Sequence, residues 1–103
     1  AVRLTGTLDT TALGAALQDV IGRHESLRTV FPDTDGEPWQ QIVPVEEATV
    51  AIEVSDVPEA GLPAALARAA STGFDLATDL PVRAWLFRLT DTEHVLCVVV
   101  HHI

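Results

Sequence analysis

Val82-Arg83-Ala84-Trp85-Leu86-Phe87-Arg88-Leu89, then Thr90-Asp91-Thr92-Glu93, then Val95-Leu96-Cys97-Val98-Val99-Val100-His101-His102-Ile103 reads as two strands joined by a loop of hairpin length. β-Branched and aromatic side chains dominate both runs, and such residues fit a pleated, packed surface. The second run is apolar at consecutive positions instead of alternating ones. That pattern predicts a central strand covered on both faces.

Upstream of this hairpin the pattern changes period. Val2 to Thr5 reads as a short strand, Gly6 to Leu8 turn the chain, and Asp9 is placed to cap a helix. Leu13, Leu17, Val20, Ile21 and His24 follow at helical spacing, which predicts one apolar stripe ending on a histidine. Leu27 to Phe31 reads as strand before the turn cluster Pro32-Asp33-Thr34-Asp35-Gly36. Trp39 to Val43 and Val50 to Val57 read as two further strands, bounded by Pro44 and Pro58. From Glu59 to Thr72 an Ala-rich stretch puts Leu62, Leu66 and Ala69 on one helical face, with Gly73 suited to a left-handed residue after the helix. The order strand, helix, three strands, helix, hairpin predicts an α+β fold, with helices packed on one face of a mixed sheet.

The chain has 103 residues, enough for one small domain that buries roughly two-thirds of its unfolded surface. Fifteen acidic residues stand against six arginines and no lysine, for a net charge of -9. Such a charge repels phosphate backbones, so nucleic acid is not an expected partner. The single cysteine, Cys97, cannot pair within the chain and gives no sign of an oxidising compartment. No leader pattern and no apolar run of the roughly 18 residues a spanning helix needs is present, so the expectation is a cytoplasmic chain without a membrane partner. Both termini fall inside strand-like sequence, and the expectation is therefore a piece truncated at both ends.

His101 and His102 are the residues with chemistry to offer. Neighbours in a strand project to opposite faces, so the pair is badly placed to chelate one metal, and Cys97 in a run of valines reads as a buried thiol. No metal site is expected. Burying two imidazoles is costly unless something uses them. The functional reading makes one a neutral imidazole acting on an amine or alcohol that attacks an acyl group. No serine or cysteine sits in a nucleophile elbow, which favours direct transfer over a covalent acyl-enzyme. His24, on the helical stripe, reads as structural. Arg23 and Arg28 flank a helix end, where a buried guanidinium needs carboxylate or carbonyl partners and an exposed one is simply solvated.

Arg23-His24-Glu25-Ser26-Leu27-Arg28-Thr29-Val30-Phe31 resembles the RHExLRTxF motif of condensation domains in nonribosomal peptide synthetases, at every fixed position. Val100-His101-His102-Ile103 resembles the start of their HHxxxDG motif, and Phe74-Asp75-Leu76 with Leu80-Pro81-Val82-Arg83-Ala84 is similar to a further family stretch, Val82 standing where leucine is usual. The helix opening at Leu8-Asp9, with Ala12-Leu13 and Ala16-Leu17, looks like the family's first helix. The resemblance covers essentially the whole chain. It implies a chloramphenicol acetyltransferase-like lobe, with residues 1–103 forming most of the N-terminal lobe of a condensation domain and ending within HHxxxDG.

By that resemblance His102 is the catalytic histidine and His101 the supporting one. The motif's aspartate, which falls beyond Ile103, makes a salt bridge in the family to an arginine whose counterpart here is Arg23 or Arg28. The implied activity joins a carrier-bound acyl or peptidyl thioester to a carrier-bound aminoacyl acceptor. No cofactor is bound directly: the substrates ride on phosphopantetheine arms of partner carrier protein domains, and neighbouring synthetase domains are further partners. The alternatives are an ester-forming HHxxxDG acyltransferase, an epimerisation domain, or, outside enzymology, an inactive fold or carrier-docking surface.

Overall fold

The computed structural model describes residues 1–101. Strand β1 (Val2–Thr5) leads through Gly6, whose φ of +104° suits a residue without a side chain, into helix α1 (Thr10–Arg23). Asp9 caps that helix, its carboxylate accepting the Ala12 backbone N–H at 3.0 Å. Leu13 and Leu17 are half-buried and Ile21 is fully buried, while Val20 and His24 are exposed. The helix therefore buries a narrower stripe than its apolar residues allow, and His24 stands outside it.

After α1 the chain tightens. Glu25–Arg28 form a 3-10 turn that takes up Leu27 and Arg28 of the expected Leu27–Phe31 strand, and only Thr29–Val30 (β2) of it are in a strand, paired antiparallel with Gln41–Ile42 (β5). Between them Asp33–Thr34 (β3) and Glu37–Pro38 (β4) make a hairpin across Asp35 and Gly36, both at positive φ, as a two-residue loop between twisted strands requires. Val45–Glu47 add a second 3-10 turn before the edge strand β6 (Ile52–Asp56).

Helix α2 (Leu62–Ala70) follows the 3-10 turn Glu59–Gly61 and carries Pro63 in its first turn, where no N–H is lost. It does not end on a left-handed Gly73. The Ser71 and Thr72 hydroxyls donate to the Arg68 carbonyl at 3.1 and 3.2 Å, using side chains to satisfy an end that a glycine would close by backbone alone.

The last two strands are β7 (Val82–Thr90) and β8 (Glu93–Val100). The sheet runs β1-β8-β7-β6, with β6 parallel to β7 and the other pairs antiparallel, so it is mixed and α2 is the crossover between parallel neighbours. One face carries Phe87, Val95 and Cys97, with Trp85 and Val99 beside them, under Leu62, Ala65 and Ala69 of α2. Val82 has the opposite parity on β7 and belongs to a second cluster with Ile21, Ala48 and the half-buried Leu17, Leu27 and Val43. The two helices thus pack on opposite faces rather than on one.

This arrangement also corrects the reading of β8. The strand is central by hydrogen bonding, but Val98 and Val100 remain 39% and 37% exposed among the described residues. β7 is the strand packed from both sides, with Val82, Ala84 and Leu86 buried on one face and Phe87 on the other. Its apolar residues lie under both clusters.

Candidate active site

Arg28 anchors the corner on which the site is built. Its guanidinium is buried and donates three times to backbone oxygens: Nε to Ile21 at 3.1 Å, Nη1 to Val43 at 2.7 Å and Nη2 to Gly22 at 3.4 Å. Two of these are carbonyls from the last turn of α1, where orphan acceptors and the negative end of the helix dipole favour a cation. The partners are carbonyls, not a carboxylate, among the described residues. The Arg28 carbonyl accepts the Val43 N–H at 2.8 Å, which extends the β2–β5 ladder to the same residue.

Arg23 behaves differently. It pairs with Asp19 on its own helix at 3.0 Å and is 73% exposed, so it holds no buried position here. His24 closes α1 through its backbone N–H to the Ile21 carbonyl at 3.4 Å, and its imidazole makes no capping bond. The structure therefore separates the four residues expected to support the site: Arg28 lies in the interior, Arg23 and His24 lie at the surface, and His101 lies at the sheet end.

At that end His101 continues the β7–β8 ladder, its N–H donating to the Pro81 carbonyl at 2.8 Å. Ser26, Leu27, Thr29 and Phe31 of the first motif face it across a cleft of about 290 Å³ that Gln40, Pro81 and Val100 complete. Segments far apart in sequence are thereby brought to one cleft, and His101, an exposed residue, is part of its lining. A larger open groove of about 620 Å³ runs along β6 and touches neither this motif nor the histidine. The catalytic assignment on His102 lies outside the described residues.

Two features were not legible from the motifs. Phe74 lies with its ring centroid 5.7 Å from that of His101, and the Arg83 guanidinium carbon sits 5.0 Å from the same ring. The family-like stretch containing Phe74 and Arg83 was visible, but nothing in its spacing tells which side chain they meet. Among the described residues His94 is the buried histidine, and its Nδ1 has no hydrogen-bond partner there. Cys97 is a buried free thiol under α2.

The sheet's arginines are paired within the chain. Arg3 pairs with Glu59 and Glu93, Arg83 with Asp79, and Arg88 with Asp91, so these guanidiniums are committed within the chain. No helix among the described residues is long and apolar enough to cross a membrane.

The family model for the condensation domain matches residues 1–103. An isonitrile lipopeptide synthase of Mycobacterium tuberculosis is 53% identical over 106 residues, covering 100% of this chain and 4% of that protein. A dimodular nonribosomal peptide synthase of Bacillus subtilis is 45% identical over 103 residues, again covering 100% of this chain and 4% of its own length. Among solved structures, the X-domain from teicoplanin biosynthesis superposes with a TM-score of 0.88 at 46% identity, over 96% of this chain and 22% of that one, and is also known in complex with OxyB. The chain thus spans a small part of the relatives it matches, and its α+β lobe has their chloramphenicol acetyltransferase-like fold. With the family match running through both motifs that line the cleft, the chain belongs to the condensation-domain family.

Proposed function

We propose that this chain forms most of the N-terminal lobe of a condensation domain, ends within the HHxxxDG motif, and contributes His102 as the catalytic histidine of amide formation. The observation that carries the reading is the cleft in which Ser26, Leu27, Thr29 and Phe31 of the first motif meet His101. In the reaction the acceptor amine attacks the thioester carbonyl, the C–N bond forms, and the oxyanion collapses with loss of the thiolate. The imidazole takes the proton released by the nitrogen, and the leaving sulfur is protonated as the thiol.

For an α-amino group of pKa about 7.7 to 8.0, roughly a tenth is neutral at pH 7, so removing its first proton contributes only about 1.4 kcal/mol. The larger share comes from orienting the amine, taking up the proton as the bond forms, and stabilising the oxyanion. The substrates arrive on phosphopantetheine arms of carrier protein domains, the neighbouring synthetase domains are the further partners, and the setting is cytoplasmic. His101, Arg28, Arg23 and His24 are supporting residues. Arg28 is the candidate for the motif aspartate's partner, because it is the buried one of the two arginines.

In the intact domain, His102→Ala lowers condensation turnover by about 10² to 10⁴-fold with the fold retained, measured with both carriers loaded. Wild-type turnover in that variant rejects the assignment. A second reading, a protein-docking domain without condensation activity, draws on the X-domain seen with OxyB at 46% identity. It predicts no amide formation by the wild-type domain and saturable binding of a partner domain.

A further inference from the structure

Phe74 is a single ring approached by two side chains that matter for the strand end. His101 lies 5.7 Å from it, centroid to centroid, with the rings inclined at 36°, and the Arg83 guanidinium carbon lies 5.0 Å from its centroid. Both distances fall within the range at which an aromatic face attracts a tilted ring or a cation. Arg83 is itself fixed, its Nη2 donating to Asp79 Oδ2 at 3.0 Å. That oxygen also accepts the Asp75 N–H at 2.8 Å, while the Asp75 carbonyl accepts the Asp79 N–H at 2.7 Å. The loop that presents Phe74 is therefore closed on itself.

The same loop is tied to both halves of the cleft. The Leu76 carbonyl accepts the Phe31 N–H at 2.7 Å, linking it to the first motif, and the Pro81 carbonyl accepts the His101 N–H at 2.8 Å, linking the loop's end to the second. His101 is exposed, so its ring has no core packing to choose a rotamer for it. Phe74 supplies the contact that does.

We propose that Phe74 is a positioning residue for the histidine pair: it holds the His101 ring, and Arg83 with Asp79 holds Phe74. The inference rests on reading that pair as the acyl-transfer histidines. A displacement of about 1 Å at such a site costs about 100-fold in rate, so losing one contact to a supporting ring is expected to cost less, about 10-fold.

The test uses the intact condensation domain with ¹³C-labelled histidine and both carriers loaded. Phe74→Leu is expected to remove the ring-current shift on the His101 ring protons and to lower kcat about 10-fold, with KM for each carrier within about twofold. Phe74→Tyr restores both. Arg83→Gln, which leaves the ring in place but frees it, gives a smaller change in the same two readouts and carries the test if Phe74→Leu does not fold. Unmoved His101 signals in the variants that fold overturn the proposal, as does a shifted signal with unchanged kcat, or a loss in Phe74→Tyr equal to that in Phe74→Leu. Wild-type turnover in His102→Ala rejects the catalytic reading instead, and leaves the contact between Phe74 and His101 standing.

Discussion

Arg28 places a guanidinium in the interior and meets it with three carbonyls. Each hydrogen bond from a charged donor is worth about 1.5 to 3 kcal/mol, and removing this donor takes one from each of the Ile21, Gly22 and Val43 carbonyls, leaving Ile21 only its 3.4 Å bond from the His24 N–H. Arg28→Ala is therefore expected to destabilise the intact domain by about 3 kcal/mol. Arg68→Ala, on the exposed face of α2, costs about 0.3 kcal/mol through the helix dipole. Denaturant midpoints of the two variants check the difference, and equal midpoints remove the carbonyl cage from the account. In the sequence Arg23 and Arg28 are equivalent members of one motif. Their separation follows from where α1 stops: Arg23 is still on the helix, beside Asp19, whereas Arg28 closes the 3-10 turn that brings the chain back to the helix end.

Elements carry their own signals to different degrees. The start of α1 is legible, because Asp9 before a periodic run can satisfy an otherwise orphaned N–H, and it does so at Ala12. Asp9→Ala is expected to lower stability by about 1 kcal/mol, measured by thermal or chemical unfolding of the intact domain, while Asp9→Asn changes it little. The end of α2 is less legible. Gly73 offers a left-handed residue, but Ser71 and Thr72 reach the Arg68 carbonyl first, and the chain ends the helix with hydroxyls. The segment from Leu27 to Phe31 has strand composition, yet its first two residues lie in the 3-10 turn that carries Arg28 to its carbonyls. Local propensity there is overruled by a buried charge that must be solvated by backbone.

On the scale of the whole molecule the described residues form an open lobe. The radius of gyration is 15.3 Å, above the value of about 13 Å for a compact chain of this length, and the long axis extends 49 Å against 16 Å for the short one. Val98, Val100 and Val54 lie on one sheet face and stay exposed at 39%, 37% and 57%. Catalysis in a shielded site needs water excluded around the developing oxyanion, and a cleft of about 290 Å³ on an open lobe does not provide that. Residues 1–103 alone are expected to form no detectable amide when offered both loaded carriers, whereas the intact domain turns over. Product from the isolated residues overturns this expectation and the need for further walls around the cleft.

Composition and pattern alone determine the α+β class, the hairpin of β7 and β8, the capped start of α1, and the resemblance through the two motifs. Each depends on residues near one another in sequence, where spacing and side-chain type suffice. The tertiary structure alone decides that the helices lie on opposite faces, that β7 and not β8 is packed from both sides, and that Arg28 is buried while Arg23 and His24 are not. It also decides that Phe74 meets His101. These depend on the register of β7 against β8 and on the path of the chain after α1, which bring side chains together across long separations that no local period records.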